Sequence, residues 1–298
     1  QFRQWPGLLR DAFWVVFAVV AKAFARNGDY FVLGRMLPKA VVGPYFFAYL
    51  VTTQVTGLIA LNLRHVLFPV MTRMVDQPAR QAQAITRSMR LLTLVATPAS
   101  MLVALAIGPL EQLIYRGEWA AAVPLVKIFA LVAPILMLTD VSHAALLAKG
   151  RFRTSGLLTL AEAIWFTGSA WFAATMEGPD ITRVALWIFG LQIIYAVAMN
   201  LAVMRSFGIA TGSYFTSFLP QWCVALAAAV LTMALLRFAP ETLPPVGEIA
   251  AASLAYGAIF CLLAKMLLDA DLKQLVRVAP RPMAGVIERV FRLPRLEN

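Results

Sequence analysis

Residues 91–110, 184–204 and 206–236 contain no Asp, Glu, Lys or Arg. Each run is long enough to cross a hydrocarbon layer as a helix, which takes about 20 mostly apolar residues. Hydrophobic residues make up 61% of the 298 and charged residues 14%, against about 45–50% and 25% in a soluble domain. A water-soluble enzyme is excluded, and so is a disordered chain, whose apolar content would be far lower. The expected fold class is all-α: a polytopic membrane helix bundle of about eight transmembrane helices. The candidate spans are about 13–37, 41–63, 91–110, 120–148, 154–176, 184–204, 214–236 and 249–268. The apolar runs are long and do not alternate with period two, so membrane strands are not expected.

Basic residues give the orientation. With the N-terminus on the cytoplasmic side, 18 of the 26 Lys and Arg fall in cytoplasmic segments and 5 in outer ones. The bias alternates through every loop, so both termini are expected to be cytoplasmic. The net charge of +11 is then mostly a topology signal, and no nucleic-acid partner is expected. Two basic segments, 64–90 and an amphipathic stretch at 282–292, are expected on the cytoplasmic surface beside anionic lipid. Cys223 and Cys261 lie in apolar runs and make no CxxC pair, so no disulfide framework is expected. There is no HExxH, GxSxG, P-loop or DxD pattern. No catalytic residue, metal or cofactor is expected, and the chain is read as a non-enzyme. It begins with Gln1 and is read as the C-terminal portion of a longer protein.

An ionisable side chain in the hydrocarbon core costs at least about 2.5–3.5 kcal/mol on insertion scales, and it usually faces protein or a water-filled cavity. Three polar clusters stand out. Lys22, Arg26 and Asp29, with Asn27 beside them, share one narrow arc of a helix because their spacings are four and seven. Asp29 is expected to pair with Arg26, leaving Lys22 as net positive charge. The arc is either a cationic lining for an anionic group such as phosphate or a structural ion pair with a snorkelling Lys. Gln54, Asn62, Arg64 and His65 form the second cluster, with Arg64 read either as a positive-inside anchor or as a contact for an anionic head group. Asp140, His143 and Glu162 form the third, on two spans that turn near Gly150-Arg151. This cluster is either a proton or ion relay or hydrogen-bonding glue. Lys127 is a further candidate cavity cation.

The stretch Asn27-Gly28-Asp29-Tyr30-Phe31-Val32-Leu33-Gly34-Arg35-Met36-Leu37 is followed by Val42-Gly43-Pro44-Tyr45, Ala48 and Val66-Leu67-Phe68-Pro69. Further on come Tyr115-Arg116-Gly117-Glu118-Trp119 and Ala148-Lys149-Gly150-Arg151. These residues resemble the polysaccharide-biosynthesis flippases of the MOP exporter superfamily, over roughly residues 10–160. The resemblance implies two six-helix lobes around a central cavity. Residues 1–210 would be the second lobe, residues 211–268 two additional transmembrane helices after the break at Thr211-Gly212-Ser213, and residues 269–298 a basic cytoplasmic tail with an amphipathic helix. It also implies a polyprenyl-pyrophosphate-linked oligosaccharide as substrate, flipped across the bacterial cytoplasmic membrane for surface polysaccharide, lipopolysaccharide or exopolysaccharide biosynthesis. Partners would be that substrate, anionic membrane lipids and an N-terminal lobe of the same protein. Lys22, Arg26, Asn27, Asp29, Asn62, Arg64 and Lys127 are the candidate substrate-cavity residues. Asp140, His143 and Glu162 are the candidate relay. Pro98 and Pro134 leave carbonyls unpaired and permit bending. The alternatives are a multidrug or small-solute exporter of the same superfamily, or a membrane-embedded glycosyltransferase or ligase.

Overall fold

A computed structural model describes residues 5–72, 74, 76–238, 244–278 and 290–291; the side chains at 5–8, 10–11, 55–56 and 58–71 lie outside the description. Ten α-helices and no strand occur among the described elements: α1 (Trp5–Met36), α2 (Lys39–Thr72), α3 (Pro78–Tyr115), α4 (Val123–Leu136), α5 (Leu138–Ala148), α6 (Phe152–Glu177), α7 (Ile181–Ser206), α8 (Thr211–Leu236), α9 (Pro245–Leu267) and α10 (Asp269–Val278). Six stretches among the described residues are long and apolar enough to cross a membrane: α3, the combined Ala120–Ala148, α6, α7, α8 and α9. Helices α1 and α2, of 32 and 34 residues, exceed the spanning length and occupy the places of the first two expected spans.

The polarity is that of a membrane bundle. Val230, Leu231, Leu254 and Leu262 point outward, while Asp29, Glu162, Gln192 and Asn200 are buried. Lipid solvates an apolar face as well as a core does. Packing and interhelical hydrogen bonds therefore hold such helices together, the bonds contributing about 0.6 and up to about 1.7 kcal/mol each. Several cross between helices. Tyr45 Oη donates to Asp29 at 2.7 Å, Thr93 Oγ1 to the Ser217 carbonyl at 2.9 Å, and Tyr195 Oη to the Leu158 carbonyl at 2.6 Å.

Helices α1 and α6 form the most extensive contact, and they run parallel. Gly156 lies against Trp14, Lys22 against Glu162 and Gly28 against Thr167, so the register advances in the same sense on both. Small residues make this possible. Ala21 and Ala25 are buried on α1, and Ser155, Gly156, Ala163 and Ala170 on α6. A Cβ placed on Gly28 would run into Thr167 Oγ1, so only glycine fits this contact as it stands.

The same device ends α5 and α7. Gly150 and Gly208 adopt φ of 70° and 71°, the left-handed region that glycine enters at no steric cost. Arg151 N then donates to the Leu146 carbonyl and Ile209 N to the Met204 carbonyl, as in a Schellman cap. The two turns sit side by side, with Lys149 Nζ 4.7 Å from the Phe207 ring centroid.

Residues 64–90, expected on the cytoplasmic surface, are divided between two long helices. Backbone helix continues through 64–72 at the end of α2, and α3 begins at Pro78, where a missing N–H costs nothing. At 38 residues and about 1.5 Å each, α3 is longer than the bilayer is thick, so its arginine-bearing end still projects. Pro98 does not break α3, whereas α4 ends two residues after Pro134 and the chain resumes as α5. The stretch 282–292 lies outside the described residues except for 290–291.

Helix α8 packs on α3 in a buried cluster with α5 and α7 residues. Helix α9 and the apolar side of α10 join a second cluster on α3 and α8. The third, around Leu33, Tyr45, Phe129 and Ile188, ties α1, α2, α4, α6 and α7 together beneath the candidate site.

Candidate functional site

Two cavities of about 180 and 450 Å³ open between α1, α2 and α4–α7. Lys22, Arg26 and Asp140 line both. The smaller adds Tyr49, Thr52, Glu162 and Gln192, and the larger Asn27, His143, Ser155 and Thr159. The fold thus merges the first and third polar clusters into one site, because parallel packing of α1 on α6 sets Lys22 beside Glu162.

The geometry corrects the charge assignment made from sequence. Lys22 Nζ lies 3.1 and 3.3 Å from the two Glu162 carboxylate oxygens, so Lys22 is paired. Asp29 does not pair with Arg26. It is fully buried and accepts from Tyr45 Oη at 2.7 Å and from the Tyr30 amide at 2.9 Å. The chain reverses at Leu37-Pro38 between α1 and α2, which brings Tyr45 of α2 beside Asp29, and its neutral phenol meets the carboxylate at less desolvation cost than a guanidinium would. Asp29 lines neither cavity.

His143 Nε2 is 3.9 Å from Glu162 Oε2, and its Nδ1 is 3.0 Å from Ser155 Oγ. A continuous polar line runs Lys22–Glu162–His143–Ser155. Asp140 is half-buried beside it. Arg26 is exposed to the cavities and has no carboxylate partner among the described residues. Asn27 lines the larger cavity while its amide donates to the Ala23 carbonyl at 2.8 Å. Lys127 is exposed on α4 and lines neither cavity, because its turn of helix faces away from α1. The Asn62, Arg64 and His65 side chains lie outside the described residues. Gln54 is exposed and lines neither cavity.

Gln192, Tyr49, Thr52 and Ser155 were not singled out from sequence. Gln192 is buried with its Oε1 lacking a hydrogen-bond partner. A polar amide in an otherwise uncharged span was its legible signal.

Residues carrying the family resemblance do structural work. Gly28 permits the α1–α6 approach and Asp29–Tyr45 locks α1 to α2. In Tyr115-Arg116-Gly117-Glu118-Trp119, Arg116 and Gly117 take positive φ, and the Trp119 amide donates to buried Glu111 at 2.8 Å.

Residues 2–124 match the family described as "Polysaccharide biosynthesis protein". The teichuronic acid biosynthesis protein TuaB of Bacillus subtilis (strain 168) is 22% identical over 221 residues, covering 69% of this chain and 42% of TuaB. The chain therefore spans less than half the length of that curated relative. No solved structure matches. Both similarities lie with polysaccharide biosynthesis, as does the family that roughly residues 10–160 resemble. The chain is an integral membrane protein by the length and apolarity of its helices, and its N-terminal part is similar to polysaccharide biosynthesis proteins.

Proposed function

We propose, from its similarity to polysaccharide biosynthesis proteins, that the chain is part of a flippase. It would move a polyprenyl-pyrophosphate-linked oligosaccharide from the cytoplasmic to the outer leaflet of the bacterial inner membrane, without chemistry on the substrate. Residues 1–210 act as one lobe of the transporter, residues 211–268 as two additional helices, and both termini face the cytoplasm. The observation that carries this reading is Arg26, a guanidinium on α1 that opens on two cavities and has no carboxylate partner among the described residues. A cation held inside a helix bundle without an ion-pair partner is costly unless it serves a polar path. Its planar fork suits bidentate contact with a pyrophosphate oxygen pair.

Lys22 completes the contact only when an anion competes with Glu162 for it. Glu162, released, would have His143 within reach, which makes Glu162–His143 the natural place for a proton to move as substrate enters.

The rival within the same superfamily is a small-solute exporter. The cavity's charge balance favours it more than the sequence alone did, because Lys22 and Arg26 face Asp140 and Glu162. The two readings differ in which residues they need. In a strain lacking its own flippase, the full-length protein carrying Lys22→Ala and Arg26→Ala should lose surface polysaccharide at matched membrane protein level. Arg26→Lys should recover part, since a point charge replaces the fork. Normal polysaccharide in the double variant would sink the pyrophosphate contact. Dependence on the carboxylates alone would favour the solute exporter.

A further inference from the structure

Away from the central cavities, a second polar region lies where α3, the α7–α8 turn and α10 meet. A cavity of about 530 Å³ there is lined by Thr86, Arg87, Arg90, Ala210, Ser213 and Gln274, among others. A neighbouring one of about 320 Å³ is lined by Arg87, Ala270, Lys273, Gln274 and Arg277. Arg87 and Gln274 belong to both, so the two form one groove. Four cations line it, drawn from two helices far apart in sequence. Their counter-charges are incomplete. Asp271 lies 3.8 Å from Arg90 and also accepts from Gln221 at 2.8 Å. Asp269 pairs with Lys273 at 2.6 Å. Arg87 and Arg277 have no carboxylate partner among the described residues. Arg90 Nε is buried without a hydrogen-bond acceptor.

The backbone adds to this. Helix α8 is 26 residues long and its first turn enters the groove. Its N-cap is Ala210, with no side-chain hydrogen bond, so the first amides lack the oxygen that Ser, Thr, Asp or Asn would supply. The positive end of the helix dipole therefore lines the same groove as the cations, a combination that favours phosphate. Phe215 and Leu219 continue along α8 as exposed apolar residues, and Met266 and Leu267 do so at the end of α9.

We infer that this groove binds a phosphate group at the membrane surface, held by Arg87, Arg90, Lys273 and Arg277 with the first amides of α8. The phosphate belongs either to the head of an anionic phospholipid, whose tails the exposed apolar residues would meet, or to a soluble phosphate compound. The site is separate from the central cavities and does not depend on the transport reading.

The test uses the full-length protein purified in detergent. Phosphatidylglycerol retained per protein is measured by native mass spectrometry, with phosphatidylcholine as the uncharged-head comparison. The wild type should retain phosphatidylglycerol, and Arg87→Gln with Arg277→Gln should lower that retention roughly tenfold or more, since two head-group cations are removed. Arg183→Gln, at the other end of the bundle, should leave it unchanged. A variant with Arg87→Lys and Arg277→Lys keeps both charges and serves if the glutamine variant loses helicity; it should retain at least about half. Addition of inorganic pyrophosphate distinguishes the sources: displacement of the lipid, with pyrophosphate bound in its place, indicates a soluble phosphate ligand, and undiminished lipid indicates the head group. Equal retention by wild type and a folded glutamine variant, an equal loss in Arg183→Gln, or a folded lysine variant that retains no phosphatidylglycerol would each overturn the assignment.

Discussion

Asp29 and Arg26 are three residues apart on one helix and have opposite jobs. Asp29 is sealed between Tyr45 and the Tyr30 amide, and Arg26 faces the cavities. Their variants should therefore separate stability from transport. Tyr45→Phe leaves one Asp29 oxygen buried without its donor, which costs about 1–3 kcal/mol. The expected result is a lower melting temperature in detergent, read by helical circular dichroism, with surface polysaccharide per folded protein unchanged. Arg26→Ala should do the reverse. A Tyr45→Phe protein that melts like wild type but exports poorly would move Asp29 into the transport machinery. The sequence marked both residues, and it mispaired them because it shows only which charges share an arc. Tyr45, sixteen positions away in sequence, competes for the same carboxylate and becomes a neighbour only once α2 folds back.

At the scale of elements, the legible part was what a single helix can show. The uncharged runs became α7, α8 and the apolar core of α3, and the turn expected near Gly150-Arg151 closes α5 as a left-handed cap, whereas the equivalent cap at Gly208 lay unmarked inside an uncharged run. Pairing between helices was not legible. Lys22 and Glu162 are 140 residues apart, and neither their depth nor their chemistry says that α1 lies parallel to α6. The small residues at 21, 25 and 28 carried that information, and an alanine stripe in an alanine-rich chain does not stand out. The contact has a direct test. Gly28→Ala places a methyl group against Thr167, and overpacking of this kind costs about 1–3 kcal/mol. Thr167→Ala removes the opposing hydroxyl, so the double variant should regain most of the lost melting temperature, with a coupling of about 0.5–3 kcal/mol. Additive effects would mean that the helices do not meet at Gly28.

For the whole molecule, the turns at Gly150 and Gly208 lie at one end of the bundle, and those at Gly117 and Gly178 at the other. The basic residues collect at the first end, in Lys149, Arg151, Arg153 and Arg205. Reporter fusions after residues 118 and 180 should therefore read outside, and a fusion after residue 152 inside. An inverted pair among the three would break the proposed orientation. Lys127 illustrates the limit of reading at this scale. Its depth suggested a cavity cation, but which way a turn of α4 faces depends on how the whole bundle closes around α1.

The parallel seating of α1 on α6 also bears on how the chain is made. Lys22 enters the membrane as part of the first described helix, and its partner Glu162 is translated 140 residues later. At about 5–20 residues per second, the ammonium waits roughly 7–28 s for the carboxylate that neutralises it. Throughout that interval α1 carries Lys22 and Arg26 with neither its closest packing surface nor its counter-ion present. The ion pair can thus close only after the sixth described helix has been made.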